Sequence, residues 1–302
     1  MSAFSDALLA WHGRRGRARL PWRTDRAPYR VVVSEFMLQQ TQVERVVPIF
    51  ERFVARFPSF EALAGASQAD VVREWRGLGY NSRAIRLHAL ARAVRDDGGV
   101  LPRDVSALER LPGVGPYTAR AIAAFAFNAG VVAFDTNVRR IVHRTQFGVE
   151  WPPEATGAEL EAAAEALLPT DSGFAFNSAL MDLGATLCTA RAPKCLLCPL
   201  QRMCAAAPVD AARLAALAAR HPRSRSPQER IAFERTARFA RGRVVDRLRE
   251  LAAGERISLL DLQRELVPRL VHHDEAALSA VVHKLQKEGV VELSDEGLRL
   301  QL

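Results

Sequence analysis

The sequence predicts a mainly α-helical protein with a small α+β domain at its C-terminal end, and three observations carry that prediction. Apolar residues recur at helical spacing along most of the chain, and no convincing run of alternating strand pattern occurs before residue 250. A Gly113-Val114-Gly115 hairpin feeds a nearly wholly apolar stretch from Tyr117 to Asn128, too uniform to be amphipathic and therefore expected to be a buried helix. From about Gly242 onward, three short helical patterns precede two short apolar strands joined at Ser294-Asp295-Glu296-Gly297, an arrangement that reads as winged-helix-like.

Composition bounds the answer further. A chain of 302 residues with 49% hydrophobic residues can bury a real core, as one large domain or two modest ones. No apolar run approaches the ~20 residues needed to span a bilayer. The N-terminus carries polar and charged residues in place of a secretory apolar region, so a cytoplasmic address without a membrane partner is expected. The formal charge of +8 favours an anionic partner, nucleic acid first among them. Lysine occurs only at Lys194, Lys284 and Lys287, so the positive charge is almost all arginine.

Taken in order, residues 3–16 predict an amphipathic helix with Phe4, Leu8, Leu9 and Trp11 on its apolar stripe, ended at Leu20-Pro21-Trp22-Arg23. Tyr29 to Phe57 predicts two helices interrupted near Gln39–Gln42, with Glu35 in greasy company between Val33 and Phe36. A carboxyl in such a place holds its proton more tightly than in water. A helical run from Phe60 to Arg76 leads to a Gly77-Leu78-Gly79-Tyr80 turn, and a helix from Ser82 to Asp96 follows. Asp97-Gly98-Gly99 breaks the chain, and Asp104 to Leu111 predicts a short helix before the hairpin. At a helix start, outward amides of Gly113, Val114 and Gly115 suit a phosphate. Asp135 stands directly after an apolar run, Arg139 to Phe147 predicts a basic helix, and Pro152 to Leu187 supplies two more. By residue type alone, Glu35 reads equally as a helix-surface carboxylate and Asp135 as a helix N-cap continued by Thr136-Asn137.

Cys188, Cys195, Cys198 and Cys204 lie within seventeen residues, separated by six, two and five others. Disulfides do not suit a chain without a secretion signal, a four-thiolate zinc site usually pairs two Cys-x-x-Cys hooks where this chain has one, and an iron–sulfur cluster draws its thiolates from one compact loop. Arg191, Lys194 and Arg202 nearby read as phosphate contacts or as an ordinary solvated face. After the cysteines, Ala205–Ala219 is alanine-rich, and Arg220 to Pro227 is a basic, proline-punctuated stretch.

Several stretches together resemble a known superfamily: Leu20-Pro21-Trp22-Arg23; Ser34 to Val43, reading Ser-Glu-Phe-Met-Leu-Gln-Gln-Thr-Gln-Val; Gly77-Leu78-Gly79-Tyr80; Leu111 to Ala119; Phe134-Asp135-Thr136-Asn137; and the four-cysteine spacing. The chain is similar to the helix-hairpin-helix DNA glycosylases, and within them to adenine glycosylases of the MutY type, over roughly its first two thirds. The resemblance implies a two-lobed glycosylase domain over residues 1–204 including an iron–sulfur loop at 188–204. A helical segment and basic linker over 205–241 and the winged-helix-like domain over 242–302 would follow.

The resemblance also implies roles. Glu35 would protonate the departing adenine, Asp135 would stabilise the cationic sugar, and Tyr117 and Asn137 would support them. Gln40 and Tyr80 would wedge into the duplex as the nucleotide is rotated out, while Gly113, Val114 and Gly115 grip the backbone. Cys188, Cys195, Cys198 and Cys204 would hold a 4Fe–4S cluster. Where bifunctional relatives carry a strand-nicking lysine, this chain has Tyr117, and no lysine precedes Lys194. The implied enzyme is a monofunctional hydrolase acting as a monomer on double-stranded DNA with a mismatched or damaged base pair, in a bacterial cytoplasm at the nucleoid, removing adenine mispaired with 8-oxoguanine or guanine. The neighbouring readings are a thymine or uracil mismatch glycosylase and a non-catalytic DNA-damage binding protein. Three features depart from the family pattern: Thr136 replaces a usual glycine, Asn81 replaces a frequent tyrosine, and no Nudix-like pattern follows the cysteines.

Overall fold

The structure is a computed structural model and describes residues 2–149, 155–220, 232–252 and 254–301. Most of the basic stretch expected at Arg220–Pro227, and the start of the helical region expected at Pro152, lie outside the described residues. Two compact units emerge, each assembled from two chain segments: Met1–Glu35 with Leu101–Arg225, and Phe36–Val100 with Ser226–Leu302. No helix among the described residues is long and apolar enough to cross a membrane.

In the first unit, the Ala3–Arg15 helix puts Phe4 and Leu8 against Phe176, Leu180 and Leu183 of the Gly173–Thr186 helix, and Val138, Ile141 and Val142 close the same core. Pro21 does more than end the preceding helix. It opens a four-residue turn, Pro21–Thr24, because at the first helical position its missing N–H costs nothing. The hairpin and its helix, Pro116–Phe127, follow the expected pattern, with Asn128 at φ 56° as the left-handed cap. Asn177 is fully buried and pins the next strip of chain. Its Oδ1 accepts from the Ala133 amide at 2.7 Å, and its Nδ2 donates to the Val131 and Gly173 carbonyls. The expected basic helix is Thr136–Val142 followed by a π-helical turn, His143–Phe147. The reason is that the Arg144 and Thr145 carbonyls accept from Ala206 and Ala205 of the cysteine loop.

In the second unit, Val43–Arg56 buries Val46, Ile49, Phe50, Phe53 and Val54 along one stripe. The single run expected from Phe60 to Arg76 is instead two helices, Phe60–Gly65 and Gln68–Glu74, because the Ser67 hydroxyl accepts from the Asp70 amide and starts a new helix. Ser82–Asp96 follows as expected. The C-terminal segment contributes helices Ala237–Arg249, Leu259–Leu266 and Glu275–Lys287, then a hairpin of Val291–Ser294 and Gly297–Leu300. The first of these helices begins earlier than the Val244 start that the apolar pattern suggests, since Thr236 caps it through the Phe239 amide. Ile257 bridges to Leu298 at the hairpin's edge, completing a winged-helix-like arrangement.

Candidate active site

Glu35 lies in the Pro28–Leu38 helix and is buried, so its reading as a helix-surface carboxylate does not hold. Burial pushes its pKa up to about 7; Arg23 pulls it down, and Asp135 pushes it further up. Arg23 is itself held in place. Its Nη1 and Nη2 donate to the buried Asp182 carboxylate, which also accepts from the Arg17 amide and Arg17 Nε. Burial raises the Asp182 carboxyl, but the His12 and Arg23 side chains and the Arg17 amide together hold it well below the usual range.

Asp135 is an N-cap, as its residue type suggests, and it is also a member of this charged group. Its Oδ1 accepts from the amides of Asn137 and Val138, at 2.8 and 2.7 Å, while Oδ2 accepts from Asn137 Nδ2 at 2.8 Å. Two backbone donors at a helix start fix the direction of the carboxylate. Asn137 is oriented in turn by Arg140, whose Nη2 donates to Asn137 Oδ1 and to the Gly184 carbonyl and whose Nε donates to the Cys188 carbonyl. Tyr117, half-buried at the start of its helix, senses both carboxylates: burial, then Glu35, then Asp135 push its hydroxyl well above the ordinary value. Glu35, Asp135, Tyr117 and Asn137 are therefore brought together within the first unit. Thr136 is exposed and opens the helix after Asp135.

The hairpin differs from expectation in one respect. Only Gly113 is left-handed, at φ 78°; Gly115 is extended and caps the Pro116–Phe127 helix. The Val114 amide donates to the Leu111 carbonyl and is already engaged, whereas Gly113 and Gly115 are exposed and their amides have no partner among the described residues. Two free amides at a helix start suit an anion.

Gln40 and Tyr80 belong to the second unit, and both are exposed non-glycine residues in left-handed backbone, at φ 56° and 47°. One residue that sequence reasoning missed serves both turns. Arg83 is buried, and its Nη1 donates to the Phe36, Met37 and Gln39 carbonyls while Nη2 donates to the Leu78 and Gly79 carbonyls and to Thr41 Oγ1. Burial brings its pKa down to about 10, which leaves it charged at neutral pH. The only available signal was an arginine three residues after a turn, among many arginines.

Residues 33–169 match the HhH-GPD superfamily of base excision DNA repair proteins. The adenine DNA glycosylase of Mycolicibacterium smegmatis is 46% identical over 202 residues, which cover 66% of this chain and 68% of that protein. That of Mycobacterium tuberculosis is 46% identical over 246 residues, covering 80% of this chain and 77% of the relative. The chain belongs to the adenine DNA glycosylase family. The human adenine DNA glycosylase is 40% identical over 217 residues, 68% of this chain and 40% of the human one. Among solved structures, a thermostable thymine-DNA glycosylase superposes with a TM-score of 0.61 at 33% identity, covering 67% of this chain and 93% of that one. Endonuclease III in a non-covalent DNA complex superposes with a TM-score of 0.57 at 23% identity, over 66% and 91% of the two chains, and shares the fold.

In this member of the adenine DNA glycosylase family, all four cysteines line one cavity, walled by Ile141, Leu183, Leu187 and Leu200. Burial pushes the Cys198 thiol up to about 11 and raises Cys204 as well, and each is raised further by the neighbouring cysteines. That donor set fits an iron–sulfur cluster, whose cationic irons remove the cost of gathering buried thiolates. Arg144, fully buried, brings Nη1 to 3.7 Å from Cys188 Sγ and donates to the Thr189 and Ala190 carbonyls.

Proposed function

We propose that this chain excises adenine mispaired with 8-oxoguanine or guanine in double-stranded DNA by hydrolysing its N-glycosidic bond, as a monofunctional enzyme that leaves an abasic site. The observation that carries the reading is a buried carboxyl, Glu35, poised near pKa 7 and electrostatically coupled to Asp135. Breaking the C1′–N9 bond sends an electron pair onto the base, so a proton delivered to N7 makes adenine a better leaving group. Glu35 at neutral pH is protonated in a large fraction of molecules and supplies it. The sugar left behind is oxocarbenium-like, and the Asp135 carboxylate, fixed by the Asn137 and Val138 amides, stabilises its charge. Water then adds to C1′ and its proton restores an acid in the site. Tyr117 offers no amine for a Schiff base, so no strand cleavage follows from this position.

Cys188, Cys195, Cys198 and Cys204 would hold a 4Fe–4S cluster that organises its loop; the proton and charge steps belong to Glu35 and Asp135. Purified protein is expected to carry iron and acid-labile sulfide in equal amounts, about four of each per chain. Cys198→Ser is expected to lose both. Zinc without sulfide would refute the assignment.

Pairing a purine with an N7-directed acid favours adenine over thymine, the base named for the structurally similar glycosylase above. A panel of duplexes with A opposite 8-oxoguanine, A opposite G, T opposite G, U opposite G and 8-oxoguanine opposite C, scored after alkali, tests this. Cleavage of the two adenine substrates is expected. Cleavage of T or U alone would overturn the assignment, and abundant covalent complex after borohydride would overturn the monofunctional reading.

A further inference from the structure

The Gly77–Tyr80 turn is held from a direction that the catalytic residues do not explain. Gly77, Gly79 and Tyr80 all have positive φ, at 99°, 69° and 47°; the glycines take it freely, whereas Tyr80 depends on its surroundings to keep this shape. Arg83 supplies the inner support, as described above. The outer support comes from the C-terminal segment of the same unit. The Arg238 guanidinium carbon sits 4.2 Å from the Tyr80 ring centroid, and that ring remains exposed. Arg249 reaches across from the same helix. Its Nη2 donates to Asn81 Oδ1 at 3.0 Å, Nε and Nη2 both donate to the Val72 carbonyl, and Nη1 pairs with Asp246 at 2.8 Å. Two further bonds latch the segments together: Gln68 Nε2 donates to the Gly289 carbonyl, and Arg73 Nη2 donates to the Leu251 carbonyl.

The arginines of this helix are not equivalent. Arg241 pairs with Glu288, Arg243 with Asp246, Arg247 with Glu265 and Arg249 with Asp246. Arg238 has no carboxylate partner among the described residues and lies over an aromatic face instead. A cation over a tyrosine ring orients the ring and leaves the guanidinium edge free to donate.

We propose that the Ala237–Arg249 helix of the C-terminal domain sets the Tyr80 turn for entry into the duplex, with Arg238 and Arg249 as positioning residues. This rests on the reading that Tyr80 is a duplex wedge in an adenine glycosylase. It gives the C-terminal domain a part in duplex distortion without requiring any base contact of its own.

The test is a double-mutant cycle in the full chain between Tyr80→Leu and Arg238→Met, which keeps the arginine's apolar stem and removes its charge. Two readouts are taken on one duplex with adenine opposite guanine: single-turnover excision, and the fluorescence rise of a 2-aminopurine placed beside the mispair. Arg238→Met is expected to lower both by about three- to ten-fold, the range for losing one cation–aromatic contact. Arg238→Lys is expected to restore most of the signal, and Arg247→Ala, on the same helix but paired to Glu265, to leave it unchanged. In the Tyr80→Leu background, Arg238→Met should change nothing further. Equal loss in both backgrounds, or no loss beside Tyr80, overturns the proposal. If the parent excises adenine and the cycle is additive, the positioning role falls and the glycosylase reading stands. If the parent opens the duplex with full coupling but leaves adenine in place, the positioning role stands and the catalytic reading falls.

Discussion

Asp135→Asn is expected to fold, bind mispaired DNA and leave the glycosidic bond intact. The side-chain oxygen of asparagine can take over the two bonds that Oδ1 accepts from the Asn137 and Val138 amides, and asparagine is as good an N-cap as aspartate. The cost is local: the new amide nitrogen faces Asn137 Nδ2, which now donates to Oδ2, so Asn137 must reorient against Arg140. Stability should fall by about 1 kcal/mol or less, on the scale of a retained cap. Charge is what the variant loses. Removing a preorganised group from beside a developing charge costs about two to three orders of magnitude in rate, and a full carboxylate should cost at least that. Single-turnover excision beside fluorescence anisotropy on the same duplex separates the two. Excision within about tenfold of the parent would remove Asp135 from the mechanism.

That residue also shows what sequence patterns can and cannot resolve. Read by type and position, Asp135 is either an N-cap or a catalytic anion; the structure shows the cap, and the same bonds fix the direction of the carboxylate on which the proposed mechanism relies. Helices with side-chain caps, such as those begun by Ser59 and Asp104, were legible because the capping residue precedes an apolar period. The break at Ser67 was not, since apolar residues continue on both sides of it. Three polar residues escaped notice for a different reason. Asp182, Arg83 and Arg238 act through partners that are distant in the chain: Asp182 through Arg17 and Arg23, Arg83 through the turns near Gln40 and Tyr80, Arg238 through Tyr80. Neither spacing nor composition carries such pairings, and in a chain this rich in arginine a buried one looks like its exposed neighbours.

Glu35→Gln is expected to abolish excision and, at the same time, to stabilise the fold above neutral pH. Glutamine keeps the shape but has no acidic proton, so the alkaline limb of the parent's pH profile, falling above about pH 7, should vanish with the activity itself. The stability effect has a definite sign. A carboxyl whose pKa rises from 4.5 to about 7 on folding binds more protons in the native state between those values, so stability falls as pH climbs through that window. Below about pH 4.5 parent and variant should be equally stable in this respect. Above pH 7 the variant should gain on the order of 3 kcal/mol, at about 1.4 kcal/mol per pKa unit. Denaturant unfolding of both proteins from pH 4 to 9 measures the difference. The Asp135→Asn background sharpens the test, because Asp135 is one of the groups raising Glu35. With that charge gone, the stabilisation from Glu35→Gln should shrink, and an unchanged gain would mean that the two carboxylates do not share a site.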